Sequence, residues 1–194
     1  MNLVHVGYKS VNCYALQSGD GYLLIDVGMP GSFGELVATL RRKSVPLERV
    51  RCLLVTHFHP DHCGVAQEVK AAGATLLLGD CQADRLAESN RALAGFAGYQ
   101  PIATAGNHVI ATGNPADWRE ATGIAGVLLH TPGHSDDSVT VVIDGLGAFV
   151  GDLRLPDAYA GRAAAQAAAS WQRIRAAGAR QAFPGHGSPF DLDS

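Results

Sequence analysis

The chain has 194 residues, 47% of them hydrophobic, which is enough for one substantial core, so positions 1–194 read as a single domain. With 15 basic and 18 acidic residues and no basic block, its formal net charge of −3 argues against a phosphate-backbone partner. Apolar stretches are far shorter than a membrane span, the first residues lack the pattern of a signal peptide, and Cys13, Cys52, Cys63 and Cys81 form no CxxC pair, so a cytoplasmic chain with reduced thiols is expected.

Strands are expected at 3–6, 11–17 and 21–26, the last closing on Ile25 and Asp26. Phe33, Leu36, Val37 and Leu40 at helical spacing predict a helix over 33–43. A strand at 50–55 runs into Thr56-His57-Phe58-His59-Pro60-Asp61-His62-Cys63-Gly64, the densest chemistry in the chain. On extended backbone His57 and His59 point the same way while Phe58 turns toward the core. Imidazole nitrogens and a carboxylate at this spacing suit zinc or a similar first-row divalent metal. A helix over 62–72 starts near Pro60 and stops at Gly73. A strand at 75–78 and a helix at 80–94 follow.

Segment 95–123 is rich in Gly, Ala, Thr and Asn, with one strand-like stretch near 107–111. Connections of this length in compact domains are usually functional or disordered, which makes its Tyr99 and Trp118 candidates for a pocket wall. Strands recur at 124–130, 138–143 and 147–151, a helix at 161–177 is anchored by Trp171 and Ile174, and a final strand ends at His186. Three apolar runs close on a glycine and a metal-ligating residue: Gly133-His134, Gly151-Asp152 and Gly185-His186. Glycine there permits positive φ and close backbone approach. His130 reads as a strand residue or a support for the site, Asp136 or Asp137 as the orienter of a ligand imidazole, and Tyr159 as a phenol donor to substrate. Two runs of strands, each closed by helices, argue for two packed sheets flanked by helices.

This set of motifs, in this order, resembles the metallo-β-lactamase superfamily of metallohydrolases from about Asp26 to His186. The resemblance implies an α/β, four-layer αβ/βα sandwich with metals at one edge between the sheets. It implies His57, His59 and His134 around a first metal, Asp61, His62 and His186 around a second, and Asp152 bridging them. Asp26 would support the site by hydrogen bonding. The implied cofactors are two divalent ions, zinc first, with Mn2+ or Fe2+ as alternatives. Two such ions, two aspartates and a bridging hydroxide leave about +1 at the centre, which lowers the pKa of bound water toward ~7. Asp61 then accepts the proton, and Asp61 and Asp152 are the catalytic carboxylates.

The implied activity is hydrolysis of a small-molecule lactone, thioester, ester or β-lactam, and fold membership does not choose among them. The C-terminal helical extension of glyoxalase-II-like thioesterases has no counterpart after His186. No nucleic-acid or membrane partner is expected, and a homodimer is left open. Two rival readings come from other classes. One is a mononuclear iron enzyme of the persulfide-dioxygenase kind, against which the intact second ligand set counts. The other is a metal-binding module without catalysis, against which the lack of thiolate ligands counts.

Overall fold

The computed structural model describes residues 2–192. A first sheet collects β1 (Leu3–His5), β2 (Tyr14–Ser18), β3 (Gly21–Ile25), β4 (Val50–Leu54), β5 (Thr75–Gly79) and β6 (His108–Ile110) in that spatial order. β1 to β3 are antiparallel, and β3 to β6 run parallel. Parallel neighbours need crossovers. These carry α1 (Phe33–Arg42), then α2 (Pro60–Cys63) with α3 (Ala66–Ala71), then α4 (Asp80–Ala83) with α5 (Leu86–Leu93).

After α6 (Pro115–Thr122) comes a second sheet of β7 (Gly126–His130), β8 (Val139–Ile143), β9 (Gly147–Gly151), β10 (Gln181–Pro184) and β11 (Phe190–Asp191), with α7 (Gly161–Ala176) between β9 and β10. Its spatial order is the chain order, and β9–β10 is its parallel pair. Strand alternation divides the apolar residues among layers. Leu23, Ile25, Leu54 and Leu77 of the first sheet meet Leu128, Val141, Phe149 and Phe183 of the second. On the opposite face of the first sheet Leu24, Leu53, Leu76 and Leu78 pack against Leu36, Leu40, Val69 and Leu86 of the helices. Val142, Ala148, Val150 and Ala182 likewise face Ala167, Trp171 and Ile174 of α7. Strands buried on both faces read as continuous apolar runs, as Leu23-Leu24-Ile25 does. The result is the expected four-layer αβ/βα sandwich.

The differences from expectation are local and physical. The helix expected over 62–72 divides because Gly64 donates its N–H to the Gly28 carbonyl at 2.8 Å, drawing the chain against the 28–30 turn. The helix expected over 80–94 divides before Leu86. The second strand begins at Tyr14, Val11 forming an isolated bridge with Tyr8, and the last expected strand stops at Pro184. Segment 95–123 contains α6, which sequence reading did not foresee. Asn114 Oδ1 accepts from the Ala116 N–H at 3.0 Å, Pro115 opens the helix, and Gly123 ends it at φ 70°.

The structure also bears on the aromatics of segment 95–123. Trp118 is fully buried in the inter-sheet core, and Tyr99 is half-buried against the helices of the first sheet, its phenol donating to Asn90 Oδ1 at 2.7 Å. Both anchor the segment to apolar layers, because there they remove a large ring from water. Neither is a pocket wall. Among the described residues no helix is long and apolar enough to cross a membrane.

Candidate metal centre

The ligand-bearing turns converge on one edge of the sandwich. Asp26 follows β3, the His57–His62 loop follows β4, His134 lies between β7 and β8, Asp152 follows β9 and His186 follows β10. Asp26 adopts φ 58°, a left-handed conformation unusual for a non-glycine, and donates its N–H to the Leu54 carbonyl at 3.0 Å. That turn sinks its carboxylate beneath the site. There it accepts from the Thr56 N–H at 2.7 Å, from the Thr56 hydroxyl at 2.9 Å and from His62 Nδ1 at 2.8 Å.

With its hydroxyl proton on Asp26, Thr56 accepts from His57 Nδ1 at 3.1 Å. His186 Nδ1 donates to the Ser10 carbonyl at 2.6 Å. In all three rings the outer nitrogen holds a proton and Nε2 is the atom turned inward.

Inside, His57, His59 and His134 surround one point, their ring centroids 4.5 to 4.7 Å apart. His59 differs in presenting Nδ1, which lies 2.9 Å from His134 Nε2. On the other side Asp61 Oδ2 lies 3.1 Å from His186 Nε2 and 3.7 Å from His62 Nε2. Asp152 stands between the groups. Its Oδ2 is 3.7 Å from His134 Nε2, while its Oδ1 is 3.3 Å from His62 Nε2 and 3.5 Å from His186 Nε2.

Three clusters of potential ligand atoms result: His57, His59 and His134; Asp61, His62 and His186; and His57, His62 and Asp152. Within each, the ligand atoms lie within 4.8 Å of one another. His57 Nε2, His62 Nε2 and Asp152 Oδ1 are buried and have no hydrogen-bond partner within the described residues. Leaving such polar atoms unpaired costs roughly 1–3 kcal/mol each. A divalent cation at the centre satisfies all three, so the donor set fits one.

Charge agrees. Burial, reinforced by His62, His134 and His59, holds the His57 pKa well below its ordinary value, and burial does the same more mildly to His134. Both present neutral imidazoles. Burial also works against a proton on His62, but Asp26 and Asp152 outweigh it and raise its pKa to about 10. Burial disfavours the charge on Asp152, yet His62, His186 and His134 win and keep its pKa below the usual carboxylate value.

Two glycines make the close approach work. Gly151 turns at φ 54° where a Cβ would sit 2.5 Å from Thr56 Oγ1, and a Cβ on Gly185 would sit 2.5 Å from His62 Cε1.

The remaining candidates lie outside this cluster. His130 pairs its Nε2 with the Asp136 carbonyl at 2.9 Å, and Asp137 accepts the Phe58 N–H at 2.7 Å, steadying the loop backbone in place of an imidazole. The Tyr159 phenol donates to the Asp152 carbonyl at 3.3 Å and accepts the Arg154 N–H at 2.9 Å. It is therefore tied to the chain that carries Asp152, where a substrate donor was expected. Sequence reading missed Thr56, Ser10 and Asn12, although Thr56, adjoining His57, had a signal. Asn12 braces the His186 turn, its amide donating to the carbonyls of Pro184 at 3.0 Å and Gly187 at 2.7 Å. A cavity of about 540 Å³ opens beside Asp152 and His186.

The fold is shared with solved structures. A metallo-beta-lactamase family protein from Thermus thermophilus aligns at TM-score 0.73 and 23% identity, over 97% of this chain and 74% of that one. A beta-lactamase from Chitinophaga pinensis aligns at TM-score 0.72 and 18% identity, over 95% of this chain and 75% of that one. The metallo-beta-lactamase MIM-1 from Novosphingobium pentaromativorans aligns at TM-score 0.71 and 21% identity, over 94% of this chain and 72% of that one. At these identities the likeness is one of fold.

Among curated proteins, the uncharacterized protein YobT of Bacillus subtilis (strain 168) is 35% identical over 54 residues, 28% of this chain and 22% of that protein. The sequence pattern of the metallo-beta-lactamase superfamily matches residues 6–186. With its motifs, fold and converging ligand set in agreement, the chain belongs to the metallo-β-lactamase superfamily.

Proposed function

We propose that this chain is a dinuclear metal-dependent hydrolase of a small carbonyl substrate. One observation carries the reading: two facing ligand triads share Asp152, and three buried ligand atoms between them have no hydrogen-bond partner among the described residues. His57, His59 and His134 would hold the first ion, Asp61, His62 and His186 the second, with Asp152 shared between them. Two divalent cations, zinc in this reading with manganese or iron as alternatives, supply the charge that activates a water and polarises the scissile carbonyl.

The chain's own groups do the rest. Asp26 and Thr56 lock the rings of His57 and His62, so no reorganisation is needed when charge develops. Asp61, with 30% of its side chain exposed, sits at the open side of the cluster and takes up the proton that the attacking water releases. It then returns that proton to the leaving group. Asp152 keeps both triads in register.

Lactones, thioesters, esters and β-lactams all meet these requirements, and several fold relatives are named as β-lactamases. The four cysteines stand as free thiols, in keeping with a cytoplasmic setting. The experiment is a hydrolysis panel on metal-quantified protein: a lactone, a thioester, a nitrophenyl ester and a chromogenic cephalosporin. Turnover of at least one, abolished by chelator and restored by metal, is expected. Turnover insensitive to chelation, or none in fully loaded protein, contradicts the reading.

A further inference from the structure

The cavity beside Asp152 and His186 has an uneven character. Its lining includes the apolar Leu153, Leu155, Pro184 and Phe190, with Arg154 and Asp157 as one cation and one anion on the same turn. Beyond the carboxylate and imidazole at its inner end it offers little charge for a polar ligand. Leu155, 43% exposed, adds solvent-facing apolar surface to this lining.

Leu155 does not stand there by looseness. The following Pro156 restricts it to extended backbone, and it adopts φ −62°, ψ 153°. The segment is tied on both sides: the Tyr159 phenol bridges the Asp152 carbonyl and the Arg154 N–H, and Trp171 Nε1 donates to the Arg154 carbonyl at 2.8 Å. Behind the cavity Phe190 packs on Trp171 with ring centroids 6.0 Å apart. The wall is thus held in a fixed shape, its apolar side facing the cavity and one end at the metal-facing carboxylate.

We propose that this wall is the acyl subsite of the enzyme, and that the substrate is an ester, lactone or thioester whose apolar acyl chain lies along Leu155 and Phe190. The inference rests on the hydrolase reading and deepens it to a substrate class. The carbonyl sits at the Asp152–His186 end, and the chain runs outward over Leu155 toward solvent. A fused-ring lactam bearing its own carboxylate fits this surface poorly, because the apolar wall would desolvate that charge.

Each methylene that reaches the wall should raise kcat/KM about three- to four-fold until the cavity is filled. The test uses metal-loaded protein with nitrophenyl esters from acetyl to octanoyl, beside a chromogenic cephalosporin. A Leu155→Asp variant of verified metal content is run in parallel. The rise with chain length is expected in the parent, and Leu155→Asp should lower the octanoyl-to-acetyl ratio of kcat/KM at least ten-fold. A flat parent series, an unchanged ratio in the variant, or a preference for the cephalosporin overturns the proposal.

Calorimetric binding of octanoate against acetate separates this from the hydrolase reading. If no ester turns over but octanoate binds more tightly and loses that advantage in Leu155→Asp, the subsite stands and the hydrolase reading falls. Equal binding of both acids, with no turnover, overturns both.

Discussion

The metal edge has a floor and a rim, and the two are built differently. On the floor, His57 and His62 are buried and each ring is clamped from behind, one by Thr56 and one by Asp26, which also binds Thr56. On the rim, His186 has 39% of its side chain exposed and Asp61 30%, and Ser10 and Asn12 hold the His186 turn from a distant part of the chain. The floor is part of the core as well as of the site, whereas the rim serves the site alone. Damage to the floor should therefore cost stability and metal together, and damage to the rim should cost metal and turnover with the fold intact.

Asp152, where the two meet, should show the largest effect. Asp152→Asn keeps the shape but removes the charge shared between the triads, and kcat should fall roughly 10³-fold or more while far-ultraviolet dichroism is unchanged. Parent-like turnover would remove Asp152 from the centre.

A paired comparison breaks floor from rim directly. Asp26→Ala strands a buried His62 and should cost about 3–5 kcal/mol in denaturant unfolding of chelated protein. His186→Ala should stay within about 0.5 kcal/mol of the parent under the same conditions. Equal losses would erase the distinction.

The core aromatics of segment 95–123 sharpen it from outside the site. Trp118→Ala should cost about 3–5 kcal/mol and Tyr99→Phe about 1 kcal/mol, both read by unfolding, with KM for the best substrate unmoved. A changed KM with unchanged stability would return them to the pocket.

The smallest effect is a proton count. His62, ordinarily near 6.5 but held at about 10 by its carboxylates, carries a proton at pH 8 in metal-free protein. His57 and His134 are shifted the other way and carry none. Metal binding at pH 8 should expel one proton from His62 in addition to the one lost by the metal-bound water, seen as a dependence of calorimetric enthalpy on buffer ionisation enthalpy, and only the water's proton well above pH 10. Release of a single proton at pH 8 would mean that Asp26 and Asp152 do not hold the one on His62.

The ligands were far more legible in the sequence than the rim's supports. His57, His59, His62, His134, Asp152 and His186 each end or follow an apolar run, so strand pattern and ligand chemistry pointed to the same positions. Asp26 was legible for the same reason. The Ser10 carbonyl and the Asn12 amide were not, because they act across the fold on a turn 176 and 175 residues away. α6 was hidden by composition: its apolar face is little more than Trp118, and its Asn-Pro start and glycine stop sat among other turn-forming residues. Tyr159 was noticed for its phenol, but its partners are backbone groups, which side-chain patterns do not reveal.

The central claim is that two ions share Asp152 between two facing triads. Elemental analysis of protein purified without chelator and loaded with zinc tests it most directly, run on the parent and on His186→Ala. The account predicts about two ions per chain in the parent and about one in the variant. A fully loaded parent holding one ion, or one iron per chain with oxygen uptake, would contradict it.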